Sequence, residues 1–203
     1  MRKSLKRIGV CALIAAIVWI GGIVRDKQDL RQNLIRLHVV AASDSEEDQS
    51  LKLLVRDAVV NSLQENMENL MDTAQAKEYL QRNLSKIEAL AGGVLKENGC
   101  EDPVRVSLQR EAFTTRYYDT FTLPAGIYEA LRITIGEGNG HNWWCVVFPA
   151  LCVGATVEDF EETAHCAGMP DSLTGALTGE ESYEVRFLVL DTLGKLENFL
   201  HKG

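Results

Sequence analysis

His141 stands four residues before Cys145 in the run Gly140-His-Asn-Trp-Trp-Cys145, and a histidine with a cysteine is the raw material of nucleophilic catalysis. The attacking species is the thiolate, which needs a base within reach in space; closeness in sequence does not supply that. Cysteine hydrolases commonly draw their base from elsewhere in the chain, so His38 and His165 are further candidates. The activity this would build is an extracytoplasmic cysteine hydrolase acting on cell-wall peptides. The same residues support a second and stronger reading. Beyond residue 24 lie Cys100, Cys145, Cys152 and Cys166, an even number that permits two disulfides in three connectivities in an oxidising compartment. Cys145 with Cys152, closing a short Phe-Pro turn, is one pairing; pairing with Cys100 or Cys166 gives the others. Trp143 and Trp144 are neighbours in a strand and so point to opposite faces, one to the core and one to solvent. An exposed Trp beside a Gly-rich loop is a good anchor for a partner, which makes His141, Asn142, Trp143 and Trp144 the candidate contact residues.

Other chemistries lack their patterns. There is no Cys-x-x-Cys pair, no Gly-x-Ser-x-Gly and no His-Glu-x-x-His. The loop Gly136-Glu-Gly-Asn-Gly140 lacks the Lys-Ser/Thr ending of a P-loop and reads as a hairpin turn. Asp44, Glu46, Glu47 and Asp48 match a calcium loop only in charge, since Gln49 and Val55 stand where Gly and Glu are needed. His38 has no second ligand at a recognisable spacing, so no metal and no cofactor are expected.

The elements that must position these residues begin with an unusual N-terminus. Arg2, Lys3, Lys6 and Arg7 precede an uncharged run, Ile8 to Val24, which Arg25, Asp26 and Lys27 close. This reads as a signal peptide or N-terminal anchor over residues 1–24, with residues 25–203 forming one extracytoplasmic domain. Beyond residue 24 there are 17 Lys and Arg against 29 Asp and Glu, a formal charge of −12. Such a field repels nucleic acid and anionic lipid. If uncleaved, the N-terminal segment makes the membrane a partner.

Ile35, Leu37 and Val39 alternate with Arg36 and His38, a strand pattern. Ser45, followed by Asp48, caps a helix from about Glu46 to Asn69, and Asp72 opens a second one that Gly99 stops. Val104–Gln109, Phe113–Phe121, Ile127–Ile135 and Trp143–Phe148 read as an antiparallel meander. Val157 to Cys166 reads as a short helix, Met169 to Gly179 as a loop, and Tyr183 to Leu200 as a final helix. The class is α+β: an N-terminal membrane or signal segment, then a strand, two long helices, the meander and a C-terminal helix.

Two long stretches carry a resemblance. Ile35 to Val59, IRLHVVAASDSEEDQSLKLLVRDAV, and Leu123 to Cys152, LPAGIYEALRITIGEGNGHNWWCVVFPALC, resemble the two signatures of stage II sporulation protein R. Ala42 and Ala150 depart from it, standing where Asn and a second Pro are expected. The resemblance implies a role in endospore formation. It implies a protein made in the forespore and exported into the space between the forespore and mother-cell membranes. There it would activate a membrane-embedded aspartic protease of the mother cell, which processes a sigma factor precursor. It implies a signalling ligand and no catalytic site.

Overall fold

The computed structural model describes residues 2–67, 69–70, 72–150, 160, 164–165, 169–180 and 183–201, with side chains from residue 7. Among them, five helices and six strands follow in chain order: α1 (Arg2–Asn33), β1 (Ile35–Val40), α2 (Glu46–Met67), α3 (Thr73–Glu97), β2 (Val104–Phe113), β3 (Arg116–Tyr117), β4 (Thr122–Leu123), β5 (Gly126–Ile135), β6 (Asn142–Phe148), α4 (Asp171–Thr178) and α5 (Glu184–His201). The class is α+β.

The helix starts use the caps their residues favour. Ser45 Oγ accepts the Asp48 amide at 3.1 Å, and Asp72 Oδ1 accepts the Gln75 amide at 2.8 Å. Gly99, at φ 78°, closes α3 in the left-handed conformation that glycine adopts without strain.

The main sheet runs β2-β5-β1-β6, with β3 and β4 forming a separate small pair. β5 and β6 are therefore not neighbours, and the Gly-rich loop between them is not a hairpin turn. β1 lies between them, parallel to β5 and antiparallel to β6. The expected meander becomes a mixed sheet. The reason is burial: all six residues of β1 are buried, so it takes a central place with helices on both faces. Alternation marks which way a strand's side chains point, but not which strand lies beside it.

Two cores result. Ile35, Leu37, Val39, Leu131, Ile133, Cys145 and Val147 pack against α2 and α3. On the other face Tyr128, Ala130, Phe113 and Val146 meet α4, α5 and the last turns of α1. There Ile23, Asp26, Leu30 and Leu34 follow one another at helical spacing and are all buried. So α1 continues nine residues beyond the apolar run Ile8–Val24 and becomes part of this core. Its stretch Arg7–Asn33 is long and apolar enough to cross a membrane, its most apolar 18 residues having a mean hydropathy of 2.2 and lying almost wholly exposed.

Residues Met169 to Gly179, expected as a loop, contain α4. Leu173, Ala176 and Leu177 are buried on one face, and Gly179 caps the helix at φ 82°. Gly175 is there for packing: a Cβ would stand 2.8 Å from the Tyr183 ring. Tertiary burial overrides weak helix propensity in such a segment. The short helix expected at Val157 to Cys166 lies mostly outside the described residues, though Phe160 and Ala164 are buried in the second core.

Candidate functional site

The turn after β1 and the loop after β5 are bonded into one corner. Asn139 and Gly140 donate their amides to Ala42 and Ala41 carbonyls at 3.1 and 3.0 Å. Gly140 is required there, because a Cβ would stand 2.1 Å from the Ser43 carbonyl oxygen. Ser43 Oγ donates to Asp48 at 2.5 Å, and Gln49 Nε2 to the Ser43 carbonyl at 2.8 Å. On this frame Asp44 Oδ1 receives both the His141 amide at 2.6 Å and His141 Nδ1 at 2.5 Å. The bond from the His141 ring holds the Asp44 carboxyl below its ordinary range. Beneath them Lys52 is buried and reaches Gln49 Oε1 at 2.5 Å and the His141 carbonyl at 3.1 Å. Desolvation lowers its ammonium's proton affinity. Trp143 is 37% exposed, with the Arg56 guanidinium 4.2 Å from its ring centroid. The corner thus offers a carboxylate, an imidazole, a guanidinium and an indole to solvent.

On the opposite sheet face lies a buried polar network. His38 Nδ1 is 2.7 Å from Glu111 Oε2, and His38 Nε2 is 2.7 Å from Asn142 Oδ1. Its ring stacks on Trp144 at 3.7 Å between centroids. Arg132 Nη1 and Gln109 Nε2 donate to the other Glu111 oxygen at 2.9 and 2.6 Å. Burial alone raises the Glu111 carboxyl, but the bonds from His38 and Arg132 outweigh it and hold it at about 2. A carboxylate oriented on an imidazole is two-thirds of a catalytic triad. The third position is taken here by the Asn142 amide, which cannot attack.

Cys145 does not complete it. It pairs in register with Leu37, whereas Trp144 pairs with His38, so Cys145 points away from His38 into the first core. Its sulfur is disulfide-bonded, and a disulfide sulfur is not a thiolate. Cys100 is a free thiol and so is not its partner. Cys152 and Cys166 lie outside the described residues. Among the described residues no group of three His, Cys, Asp or Glu could hold a metal ion.

The two bonded loops belong to the two stretches that carry the resemblance, and comparison with known proteins bears on them directly. The family model described as stage II sporulation protein R matches residues 31–158. The chain belongs to this family. It is also similar to the stage II sporulation protein R of Bacillus subtilis (strain 168), 38% identical over 118 residues, which is 58% of this chain and 53% of that protein. The chain thus spans about half the length of the curated relative it matches. No solved structure matches.

The stage II sporulation protein R match runs from the end of α1 through β6, so it contains the corner and the polar network and leaves out α4 and α5. Of the four candidate contact residues, His141 and Trp143 lie on the exposed corner, while Asn142 and Trp144 are committed to His38. His165 lies outside the polar network's bonds. Sequence reading missed Arg56, Asp44 as a bonded group, and Glu111. Arg56 sits on α2 and Asp44 in the turn before it, both places where a charge is normally just solvated. Glu111 lies 73 residues from the ring it holds. Only the alternation that puts Glu111 and Arg132 on His38's face could have pointed to it.

Proposed function

We propose that this chain is an exported sporulation signal: made in the forespore, it crosses the forespore membrane and activates a membrane-embedded aspartic protease of the mother cell. That protease then processes a mother-cell sigma factor precursor. The receptor contact is the corner of Asp44, His141, Trp143 and Arg56. One observation carries the reading: the two signature stretches, far apart in sequence, join by hydrogen bonds to display one aromatic and charged surface within the matched part of the family. A half-exposed Trp with a guanidinium stacked on it is held in place before binding, which lowers the entropy lost on contact. The Cys145 disulfide staples the strand behind it.

The test is reconstitution of the full chain with the membrane protease and the sigma factor precursor in a host that exports it. Processing of the precursor is expected. Trp143→Ser and His141→Ala should each lower it by about tenfold or more while the far-UV circular dichroism and melting temperature stay near the parent's. Absence of processing by the parent chain overturns the reading. So does purified chain that cleaves wall peptides and loses that cleavage in Cys145→Ala, since a hydrolase then remains in view.

A further inference from the structure

Three charges of α5 turn inward, while Glu184, Lys195 and His201 stay exposed. Arg186 pairs with Asp26, Glu197 with Arg31 and Lys27, and Asp191 accepts the Ala125 amide at 2.8 Å. Its outer face carries Val185, Leu188, Leu196, Phe199 and Leu200, exposed by 64, 63, 55, 76 and 70%. Their spacing puts all five on one stripe, about 22 Å long. The inner face is apolar too, through Phe187, Leu190 and Leu193, so α5 carries large apolar residues on both sides, which a helix that faces water on one side does not need.

The position of the stripe decides what covers it. Arg186 lies beside Gly22, where a Cβ would stand 3.8 Å from its Nη2, and Gly22 is near the end of the apolar run of α1. Glu197 lies beside Lys27 and Arg31, about 8 to 14 Å farther along α1 at its 1.5 Å rise per residue. A bilayer has a hydrocarbon core of about 30 Å, flanked by headgroup zones of roughly 5 to 8 Å. With α1 in the membrane, α5 starts level with the edge of the hydrocarbon and ends at or just beyond the headgroups. A tilt of about 20°, ordinary for a membrane helix, brings its far end to the same zone.

We propose that α1 is retained as an anchor and that the outer face of α5 rests on the same bilayer, Leu188 and Phe199 entering the boundary between headgroups and acyl chains. The binding is apolar. The region beyond residue 24 carries a formal charge of −12, so attraction to anionic lipid contributes nothing, a zwitterionic surface suffices and salt does not release it. The inference rests on α1 staying attached and not on the signalling reading, so each can fail without the other.

The full chain is reconstituted into phosphatidylcholine vesicles with a fluorophore on Thr192→Cys, in a background where Cys11, Cys100 and whichever of Cys152 and Cys166 does not bond Cys145 are replaced by Ser. Thr192 is exposed in the middle of the stripe, and its replacement leaves all five apolar residues in place. Lipids spin-labelled near the headgroup should quench this fluorophore at least about twofold, at low and at high salt alike. A fluorophore on Glu137→Cys, in the exposed loop beyond the far end of β5, should keep its emission. Leu188→Ser with Phe199→Ser should weaken the quenching at position 192. Three results overturn the proposal: emission at 192 that survives like that at 137; quenching that scales with protein density and not with spin-labelled lipid, which means a second copy covers the stripe; or an intact mass showing that α1 has been cut off in the cell.

Discussion

Glu111 receives three side chains on its two oxygens and is only 10% exposed, so it is the residue on which the polar face depends. Glu111→Gln removes the charge that His38 and Arg132 both meet, and leaves Arg132 half-buried without its anion. Losing hydrogen bonds to a charged group costs about 1.5–3 kcal/mol, so the variant should melt several degrees lower. Trp144, stacked on His38, reports the same event as a shift of its emission toward water. The pH dependence has a definite sign. In the folded chain the Glu111 carboxyl titrates at about 2, below its ordinary 4.5, so the unfolded chain binds the extra proton first. Its stabilisation is complete above about pH 4.5 and drains away as the pH falls toward 2. Asp44, Asp191 and Glu197 are lowered too and act in the same direction. Melting curves between pH 2 and pH 5 should therefore fall steeply for the parent chain and less steeply for Glu111→Gln. Equal slopes would exclude Glu111 as the source.

At the scale of elements, α5 is seated on the sheet by one small residue. A Cβ on Gly194 would stand 1.6 Å from the Ala125 carbonyl oxygen and 3.1 Å from the Gly126 amide, both backbone atoms that cannot yield. Gly194→Ala should lift α5 from the start of β5 and break the Asp191 bonds to Ala125 and Thr115. A loss of about 3 kcal/mol or more is expected, seen as a depressed melting temperature and poor recovery of folded chain. Nothing in periodicity announces this glycine, which reads as a helix-weakening residue until its neighbour is known. Elsewhere local chemistry was enough. Ser45 and Asp72 mark their helix starts because side-chain oxygens capture orphan amides at short range. The faces of β1 and the outward and inward tryptophans follow from strand alternation. What local pattern cannot carry is adjacency. β1 lies between β5 and β6 although its partners stand 94 residues away in β5 and 102 or more away in β6, and α4 forms in a Gly-, Ser- and Thr-rich segment because the second core buries it. The candidate site divides the same way: Trp143 and His141 could be singled out by type and by their Gly-rich neighbour, while Asp44 and Arg56 acquire their roles only when the two loops meet.

For the whole molecule, the apolar N-terminal helix and the sheet are one structure with no linker between them. The boundary expected after residue 24 falls inside α1, and the residues that follow it supply Asp26 and Leu30 to the second core, beside Ile23 just before it. Two shortened chains separate the roles of α1. A chain beginning at Gly22 loses the basic start and the exposed apolar turns, and keeps Ile23 and Leu30 with the ion pairs of Asp26, Lys27 and Arg31. A chain beginning at Leu34 loses Ile23 and Leu30, worth about 1.5–3 kcal/mol each when fully buried. It also strands Arg186 and Glu197, whose partners on α1 are gone. The first should melt cooperatively, near the parent in detergent. The second should melt about 10 °C lower or more, with the apolar underside of α5 and β5 exposed and dye-binding. If the two melt alike, the last turns of α1 are not part of the folded unit, and the domain is free to move relative to the apolar turns of that helix. If they differ as expected, any cut that releases a functional chain must fall before Ile23, and the position of the corner relative to the bilayer is set by a helix rather than a tether.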